Sequence, residues 1–220
     1  MLTLRPPLAA EIDAFVGRQR GAPFSYPSVG GTRPPPPRSG VGEVTPEPSA
    51  EAGDGAPEGY AADHHRVKVG EGARTFARAV DAVRRWEMFN IGWVTLCWPT
   101  TPIEAGRTVA ILVPLAAVWS LNACRIVYVI DERDERAGAA PRFGFAYGTL
   151  DDHMESGEER FSVEWHRDDD SVWYDLFAFS RPKHPLAWAG YPLTRMLQRR
   201  FAGDSKAALA RALGGEKAIR

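Results

Sequence analysis

The richest concentration of groups that can transfer protons lies between Tyr147 and Glu159. The pattern predicts a polar turn between two strands, with His153 close to several carboxylates. An imidazole beside carboxylates suits general acid–base catalysis, because the carboxylate orients the ring and favours its charged form. A polar hairpin loop in water has the same composition, so both interpretations stay open. The titratable side chains of the segment are Tyr147, Asp151, Asp152, His153, Glu155, Glu158 and Glu159.

Glu159 stands apart because strand alternation places it on the same face as Phe161 and Val163. If that face lines a cavity, the acid is desolvated and needs a partner. Arg125 is the predicted partner, since it shares an apolar strand face and has a rigid fork of donors. Two alternatives remain open: a buried structural ion pair, or an arginine that holds a carboxylate or enolate of a ligand.

Several further side chains are candidates for contact with a ligand. Aromatic residues mostly fill cores, but Tyr147 and Tyr174 are predicted to offer their hydroxyl groups to a bound molecule. The predicted ligand-binding residues are His64, Asn90, Arg125, Tyr128, Tyr147, Glu159 and Tyr174. The predicted catalytic residues, should the protein be an enzyme, are Glu159, His153, Arg125 and Tyr147.

No metal or cofactor is expected from the motifs. His64, His65 and His153 have neither helical i, i+4 spacing nor an obvious fourth ligand, so ordinary strand or surface histidines are favoured. No glycine-rich loop has the order of a nucleotide cradle, and no Ser or Cys stands in a nucleophile motif. Cofactor-dependent and covalent catalysis are therefore not predicted.

Hydrophobic periodicity predicts the elements that must position these groups. Apolar runs bounded by turn residues indicate strands, and the short polar connections between the later runs indicate hairpins of an antiparallel meander. Apolar residues three and four apart indicate helices. The predicted helices are 8–18, 73–87 and a long C-terminal helix that begins near Pro192; the predicted strands are 59–69, 92–98, 108–114, 123–131, 142–150, 160–166 and 172–179.

These elements have few compact arrangements, and an α+β helix-grip fold, a curved antiparallel sheet wrapped around the C-terminal helix, is predicted. The wedge between such a sheet and its helix is a natural ligand cavity. We assign residues 1–27 to an N-terminal helix and extended segment, 28–57 to a Pro/Gly-rich acidic linker, and 58–215 to the ligand-binding domain. The linker composition buries too little apolar surface to offset its chain entropy.

Charge and composition exclude several classes of partner. The 27 basic and 28 acidic residues nearly cancel, which argues against nucleic acid or an anionic membrane surface. The apolar stretch from Thr108 to Ile130 contains Pro114 and Arg125, so it predicts two buried strands rather than a membrane span. Early prolines argue against a signal sequence, and two cysteines without CxxC spacing indicate no disulfide framework. A cytoplasmic location is expected.

Six strings together resemble the uncharacterised DUF1990 family, from about Leu8 to Leu213. They are FSYPSVG at 24–30, GY at 59–60 with Asp63, His64 and Arg66, WEMF at 86–89 leading to Gly92 and Trp93, NACRIVY at 122–128, FGFAYGTL at 143–150 and GEERF at 157–161. The resemblance implies a cytoplasmic, mostly bacterial protein without a settled activity. The architecture is similar to the START and Bet v 1-like superfamily of lipid carriers, hormone receptors, cyclases and hydrolases, among which fold alone does not choose.

Three functional hypotheses follow. The leading one is a module that binds a small apolar or aromatic metabolite in an internal cavity. The second is a cofactor-free enzyme, a cyclase, dehydratase or hydrolase, that uses Glu159 or His153 as base and Arg125 with Tyr147 to stabilise negative charge. The third is a structural protein with a filled core whose proline-rich linker recruits a partner. The sequence does not predict the oligomeric state.

Overall fold

The computed structural model describes residues 1–34, 55–115, 117–133, 140–183 and 190–214. Within these residues the strands are β1 (Leu2–Thr3), β2 (Ala61–Glu71), β3 (Thr95–Cys97), β4 (Thr108–Leu115), β5 (Val118–Glu132), β6 (Arg142–Thr149), β7 (Glu155–His166) and β8 (Ser171–Pro182). The helices are α1 (Ala9–Gln19), α2 (Gly72–Arg84) and α3 (Tyr191–Ala212), with a 3₁₀ turn at Glu87–Phe89.

The strands form one antiparallel sheet in the order β2-β8-β7-β6-β5-β4-β3, and β1 pairs with β5. Consecutive strands from β3 to β8 are neighbours, as short polar turns require. The predicted antiparallel meander is therefore confirmed. β5 and β7 begin five residues earlier than predicted, at Val118 and at Glu155. Glu155 to Glu159 consequently belong to a strand and not to a polar loop.

One face of the sheet, the inner face, carries α2, the 3₁₀ turn and α3. The apolar stripe of α2, which includes Phe76, Val80 and Val83, is buried against it. Phe145 and Phe161 stack with their ring centroids 5.4 Å apart in the same core. The α+β helix-grip architecture expected from the sequence is thus confirmed, with a packed core beneath α2 and the C-terminal half of α3.

The other face, the outer face, is covered by α1 and by residues 24–33, which we call the outer strap. Phe15 of α1 is fully buried against β4 and β5. In the strap, Tyr26 and Thr32 are buried. The linker predicted from residue 28 therefore starts too early, since Gly30 and Thr32 donate their backbone N–H groups to a buried carboxylate of the sheet. The rest of that prediction, 35–54, lies outside the described residues.

The two cysteines lie on opposite faces of the sheet. Cys124 belongs to the inner core and Cys97 to the cluster beneath α1, and both are free thiols. Among the helices that the structure describes, none combines the length and the apolar character needed to cross a membrane.

Candidate functional site

A cavity of about 700 Å³ lies between the inner face of the sheet and the N-terminal half of α3. The two halves of this helix differ, because Leu209 and Leu213 pack into the core whereas Leu197 and Phe201 line the cavity. Most of the wall is apolar. Its larger apolar members are Phe89, Trp93, Val94, Ile111, Val113, Leu115, Val118, Met154, Leu176, Leu193, Leu197 and Phe201.

A row of cross-strand partners forms the polar part of the cavity wall. Asp63 of β2 pairs with Ala178 of β8, Ala178 pairs with Glu159 of β7, and Glu159 pairs with Tyr147 of β6. Directly paired residues share one face of an antiparallel sheet. The small side chain of Ala178 therefore leaves open space between the two acids, and all four residues line the cavity.

Glu159 is the acid with the least compensation in this row. Its Oε2 accepts a hydrogen bond of 2.9 Å from the Tyr147 hydroxyl. Its Oε1 has no hydrogen-bond partner among the described residues, and the half-buried side chain faces the cavity. Burial raises the pKa of Glu159 to about 8; the hydrogen bond from Tyr147 opposes that rise, and the charges of Glu155 and Asp63 add to it. The group is therefore mostly a neutral acid at pH 7.

A hydrogen-bonded network connects the sheet to α3 at another part of the cavity wall. Arg195 holds Asp63 by two bonds of 2.6 Å and also donates to the Gln198 carbonyl oxygen at 2.6 Å. The Gln198 amide nitrogen donates to both oxygens of Glu155, at 2.8 and 2.9 Å. Burial raises the pKa of Glu155, whereas the Gln198 hydrogen bond lowers it. Glu155 thus has a neutral partner and no ion pair in the described chain.

Two histidines face the cavity, and both are held in the neutral form. The Nδ1 atom of His153 accepts the backbone N–H of Glu155 at 3.0 Å, which places the ring proton on Nε2. Burial lowers the pKa of His153 to about 3, and the positive N-terminal amine adds to the effect. Burial and the charge of Lys206 lower the pKa of His65. Neither ring therefore contributes positive charge at neutral pH.

Three of the four predicted catalytic residues, Glu159, Tyr147 and His153, line this cavity. Glu159 and Tyr147 are in direct contact. The prediction that Glu159 shares the face of the apolar residues Phe161 and Val163 is confirmed, since both lie in the inner core. Their roles in binding or catalysis remain predictions.

Arg125 lies on the outer face, contrary to the prediction. A β-bulge at residues 126–128 reverses the side-chain alternation of β5, so Val129 packs against the inner core whereas Arg125 points to the outer face. Its guanidinium donates to the carbonyl oxygens of Gln19 and Arg20 at the C-terminal end of α1, at 2.8 and 2.7 Å. The predicted pairing of Arg125 with Glu159 is therefore wrong.

His64 and Tyr128 also lie on the outer face rather than in the cavity. His64 Nε2 and Asp175 Oδ2 are 2.7 Å apart. The Tyr128 hydroxyl lies 2.8 Å from the Thr32 hydroxyl and donates to it, because Thr32 gives its own proton to Glu158. Contact of either residue with a ligand in the cavity is excluded by this placement. His64 and its neighbour in sequence alternate across the strand, so the prediction chose the wrong histidine of the pair.

Tyr174 and Asn90 do not belong to the cavity lining either. Tyr174 is fully buried in the core, and its hydroxyl lies 3.0 Å from the Ser205 hydroxyl. Asn90 is exposed beyond the 3₁₀ turn, and its backbone carbonyl accepts a hydrogen bond from Arg211. Their residue types alone suggest contact with a ligand, but in the folded chain their polar groups make other hydrogen bonds.

The residues that the predicted set lacks are Asp63, Glu155, Arg195 and Gln198. Arg195 is a charged residue of α3, yet only 17% of its side chain is exposed. The sequence holds a usable signal, since Arg195 and Gln198 are three apart on one helix and Asp63 and His65 alternate on one strand. What the sequence could not supply is the docking of α3 against β2.

The fold is that of a helix-grip protein with open space beneath its C-terminal helix, and the comparisons name its family. Residues 44–208 match the model of the domain of unknown function DUF1990. A UPF0548 protein of Dictyostelium discoideum is 34% identical over 226 residues, which cover 100% of this chain and 99% of the relative. The chain belongs to the DUF1990 family, which extends to eukaryotes as well as the bacteria expected from the resemblance.

The solved structures that align with the chain are more distant. The crystal structure of Ara h 8.0201 aligns with a TM-score of 0.46 and 13% identity over 71% of this chain and 100% of that one. A START superfamily protein from Mycobacterium smegmatis aligns with a TM-score of 0.37 and 16% identity over 70% of this chain and 94% of that one. Alignments at this level identify no ligand.

Proposed function

We propose that the protein binds a small, largely apolar or aromatic molecule in the cavity beneath α3. The observation that carries the proposal is the contrast along this helix, whose C-terminal half packs into a solid core while its N-terminal half borders about 700 Å³ of open space. Ligand sites commonly have volumes of roughly 300–1,000 Å³ and mostly apolar walls. The free thiols of Cys97 and Cys124 support a reducing compartment such as the cytoplasm.

A neutral fluorescent probe tests this proposal directly. We expect 1-N-phenylnaphthylamine to bind saturably at one site per chain. Ala178→Trp should abolish that binding, because residue 178 lies on the cavity face between Asp63 and Glu159. Phe177→Trp is the matched control, since it adds an indole at the adjacent position on the outer face. Absence of saturable binding, or equal binding by the two variants, would refute the proposal.

A second candidate function is cofactor-free acid–base catalysis in the same cavity. The specific observation in its favour is a neutral acid, Glu159, in contact with the Tyr147 hydroxyl inside an apolar wall. A desolvated carboxylic acid with a pKa near the working pH is suited to proton transfer. Arg125 has no part in this version, so Tyr147 is the remaining donor for developing negative charge.

Binding and catalysis differ in stoichiometry. Protein incubated with a metabolite extract should deplete a ligand only up to its own molar amount if it binds, whereas an enzyme should form product over many turnovers. Product formation must disappear in Glu159→Gln for the catalytic candidate to stand. Native mass spectrometry of protein purified gently from its own host would identify a co-purified ligand in either case.

The third hypothesis, a structural protein with a filled core, receives no support from a cavity of about 700 Å³. Recruitment of a partner by the proline-rich segment concerns residues 35–54, which lie outside the described residues. Ligand binding therefore remains the proposal that the described part of the chain supports best.

A further inference from the structure

We infer that the molecule in the cavity carries a positively charged nitrogen on an apolar body, an amphiphilic organic cation whose nitrogen pairs with Glu159 while Glu155 adds negative charge further along the same wall. This inference rests on the proposed function, because it names the class of ligand that the cavity takes. Its basis is an imbalance of charge among the side chains that line the space.

Three carboxyl groups of the inner face line the cavity in the described chain, those of Asp63, Glu155 and Glu159, and Arg195 binds Asp63 without lining the space itself. Arg195 is fully engaged, since it makes two bonds to Asp63 and one to the Gln198 side chain. It therefore offers little charge to a ligand. Both histidines that line the cavity are neutral, as described above.

Glu155 and Glu159 thus have only neutral partners, an amide and a phenol. Buried carboxylates usually face a cation or several donors, because desolvation of an unpaired charge is costly. Glu159 has one donor and one oxygen open to the cavity. A cationic ligand would stabilise the charged form of Glu159 by pairing with it, whereas an anionic ligand would place a further carboxylate beside these acids.

The geometry fits a short cationic head and an apolar tail. Glu155 and Glu159 are four residues apart on one face of β7, about 13 Å between Cα atoms. Gly157 lies between them and places no side chain in the space. The rings of Phe89 and Tyr147, with centroids 6.2 Å apart, stand beside Glu159. Aromatic faces stabilise organic cations as well as apolar chains.

A matched series of ligands tests the inference. Octylamine, 1-octanol and octanoate share one tail and differ in charge, and each can displace 1-N-phenylnaphthylamine at pH 7 below its micellar concentration. We expect octylamine to displace the probe at a concentration at least about tenfold lower than 1-octanol, which corresponds to about 1.4 kcal/mol. Octanoate should be the weakest of the three.

Variants locate the effect. The double variant Glu155→Gln with Glu159→Gln should reduce the advantage of the amine over the alcohol to less than threefold while the alcohol binds as before. Glu164→Gln is the control, because this acid lies on the same strand but on the outer face beside Arg66. It should keep the full preference for the amine.

Different outcomes would contradict ligand binding in the cavity and the preference for a cationic ligand. If the probe does not bind the unmodified protein, the proposed function itself is wrong. If the probe binds but the alcohol or octanoate displaces it as well as the amine does, the cavity binds ligands and the inference of a cationic ligand is overturned. A preference for the amine that survives in the double variant overturns the assignment to these two acids.

Discussion

Glu158 and Glu159 are neighbours in β7, yet their carboxyl groups lie on opposite faces of the sheet in opposite circumstances. Glu158 is only 2% exposed, and its two oxygens accept four hydrogen bonds from the outer strap. Glu159 accepts one bond and opens toward a cavity. Of two adjacent glutamates in one strand, the outer one accepts hydrogen bonds on both carboxyl oxygens, whereas the inner one accepts a hydrogen bond on only one.

The donors explain why one acid stabilises the fold and the other does not. Glu158 receives the Tyr26 hydroxyl at 2.6 Å, the Gly30 N–H at 2.7 Å and both the N–H and hydroxyl of Thr32 at 2.9 and 2.5 Å. Four donors offset the desolvation of a carboxylate. A single phenol donor does not offset the desolvation of Glu159. A buried acid with too few hydrogen-bond donors and a raised pKa is a sign of a functional site.

The same saturation extends along the outer face. Arg160 donates to the Thr32 carbonyl oxygen at 2.8 Å and to Asp175 at 2.7 Å. Burial alone would raise the pKa of Asp175, but the hydrogen bond from His64 and the charge of Arg160 hold it below its usual value. The outer face is thus a network of ion pairs that fixes the strap, whereas Glu155 and Glu159 of the inner face have no cationic partner among the described residues.

The first prediction concerns Glu158, the acid that accepts four hydrogen bonds on the outer face. Glu158→Gln places an amide nitrogen against donors of the strap, and it should lower the free energy of unfolding by about 3 kcal/mol or more. Urea denaturation followed by circular dichroism measures the change. Glu164→Gln, on the same face but paired at longer distances with Arg66 at 3.4 Å and His166 at 3.5 Å, should cost less than about 1 kcal/mol. Equal losses would mean that the strap contacts contribute little.

The second prediction concerns Glu159 and the dependence of protein stability on pH. The pKa of Glu159 is raised in the folded protein, from 4.5 to about 8, so the folded state binds more protons than the unfolded state within that window. Stability should therefore decrease as the pH rises through it, by at most about 1.4 kcal/mol per pH unit, and level off above the folded pKa.

Glu159→Gln should remove this slope, because the amide does not titrate. Unfolding free energies of the two proteins at pH 5, 6, 7 and 8 test the prediction, and the variant should gain stability relative to the parent as the pH rises. Parallel curves for parent and variant would contradict the raised pKa.

Much of the fold could be predicted from periodicity, since the helices, the antiparallel meander and the inward face of β7 all follow local alternation. Glu159 was assigned to the inner face because the apolar residues Phe161 and Val163 repeat every second position. Local patterns contain that information. The docking of Arg195 onto Asp63 depends instead on where α3 crosses β2, which no local pattern specifies.

The β-bulge after Ile126 is a second feature that limits prediction from the sequence. One extra residue in β5 changes the face of every earlier side chain relative to the later ones, and no turn residue or composition change marks it. The outer strap shows a third limit, since its Gly- and Pro-rich composition resembles a linker although its backbone N–H groups have a buried acceptor in Glu158. Amino-acid composition indicates whether side chains can be buried, but it does not indicate whether backbone N–H groups have a buried acceptor.

The third prediction tests how tightly the strap fits the sheet. A Cβ atom at Gly148 would lie 1.9 Å from the Tyr26 hydroxyl oxygen, so Gly148→Ala must displace the phenol from Glu158. The expected loss is about 1.5–3 kcal/mol, the value of a hydrogen bond to a charged group. Gly17→Ala in α1 is the control, because nothing lies within 4 Å of its Cβ position and alanine favours the helix. That variant should be as stable as the parent or more so.

The smallest expected effect belongs to Arg125. Arg125→Ala removes two hydrogen bonds to the carbonyl oxygens at the end of α1 and the stacking over Phe24, which should cost about 1 kcal/mol in a partly exposed position. Affinity for a neutral probe in the cavity should not change, because the guanidinium lies across the sheet from Glu159. A weaker affinity would return Arg125 to the binding site, and with it a cation that would balance the acids of the inner face.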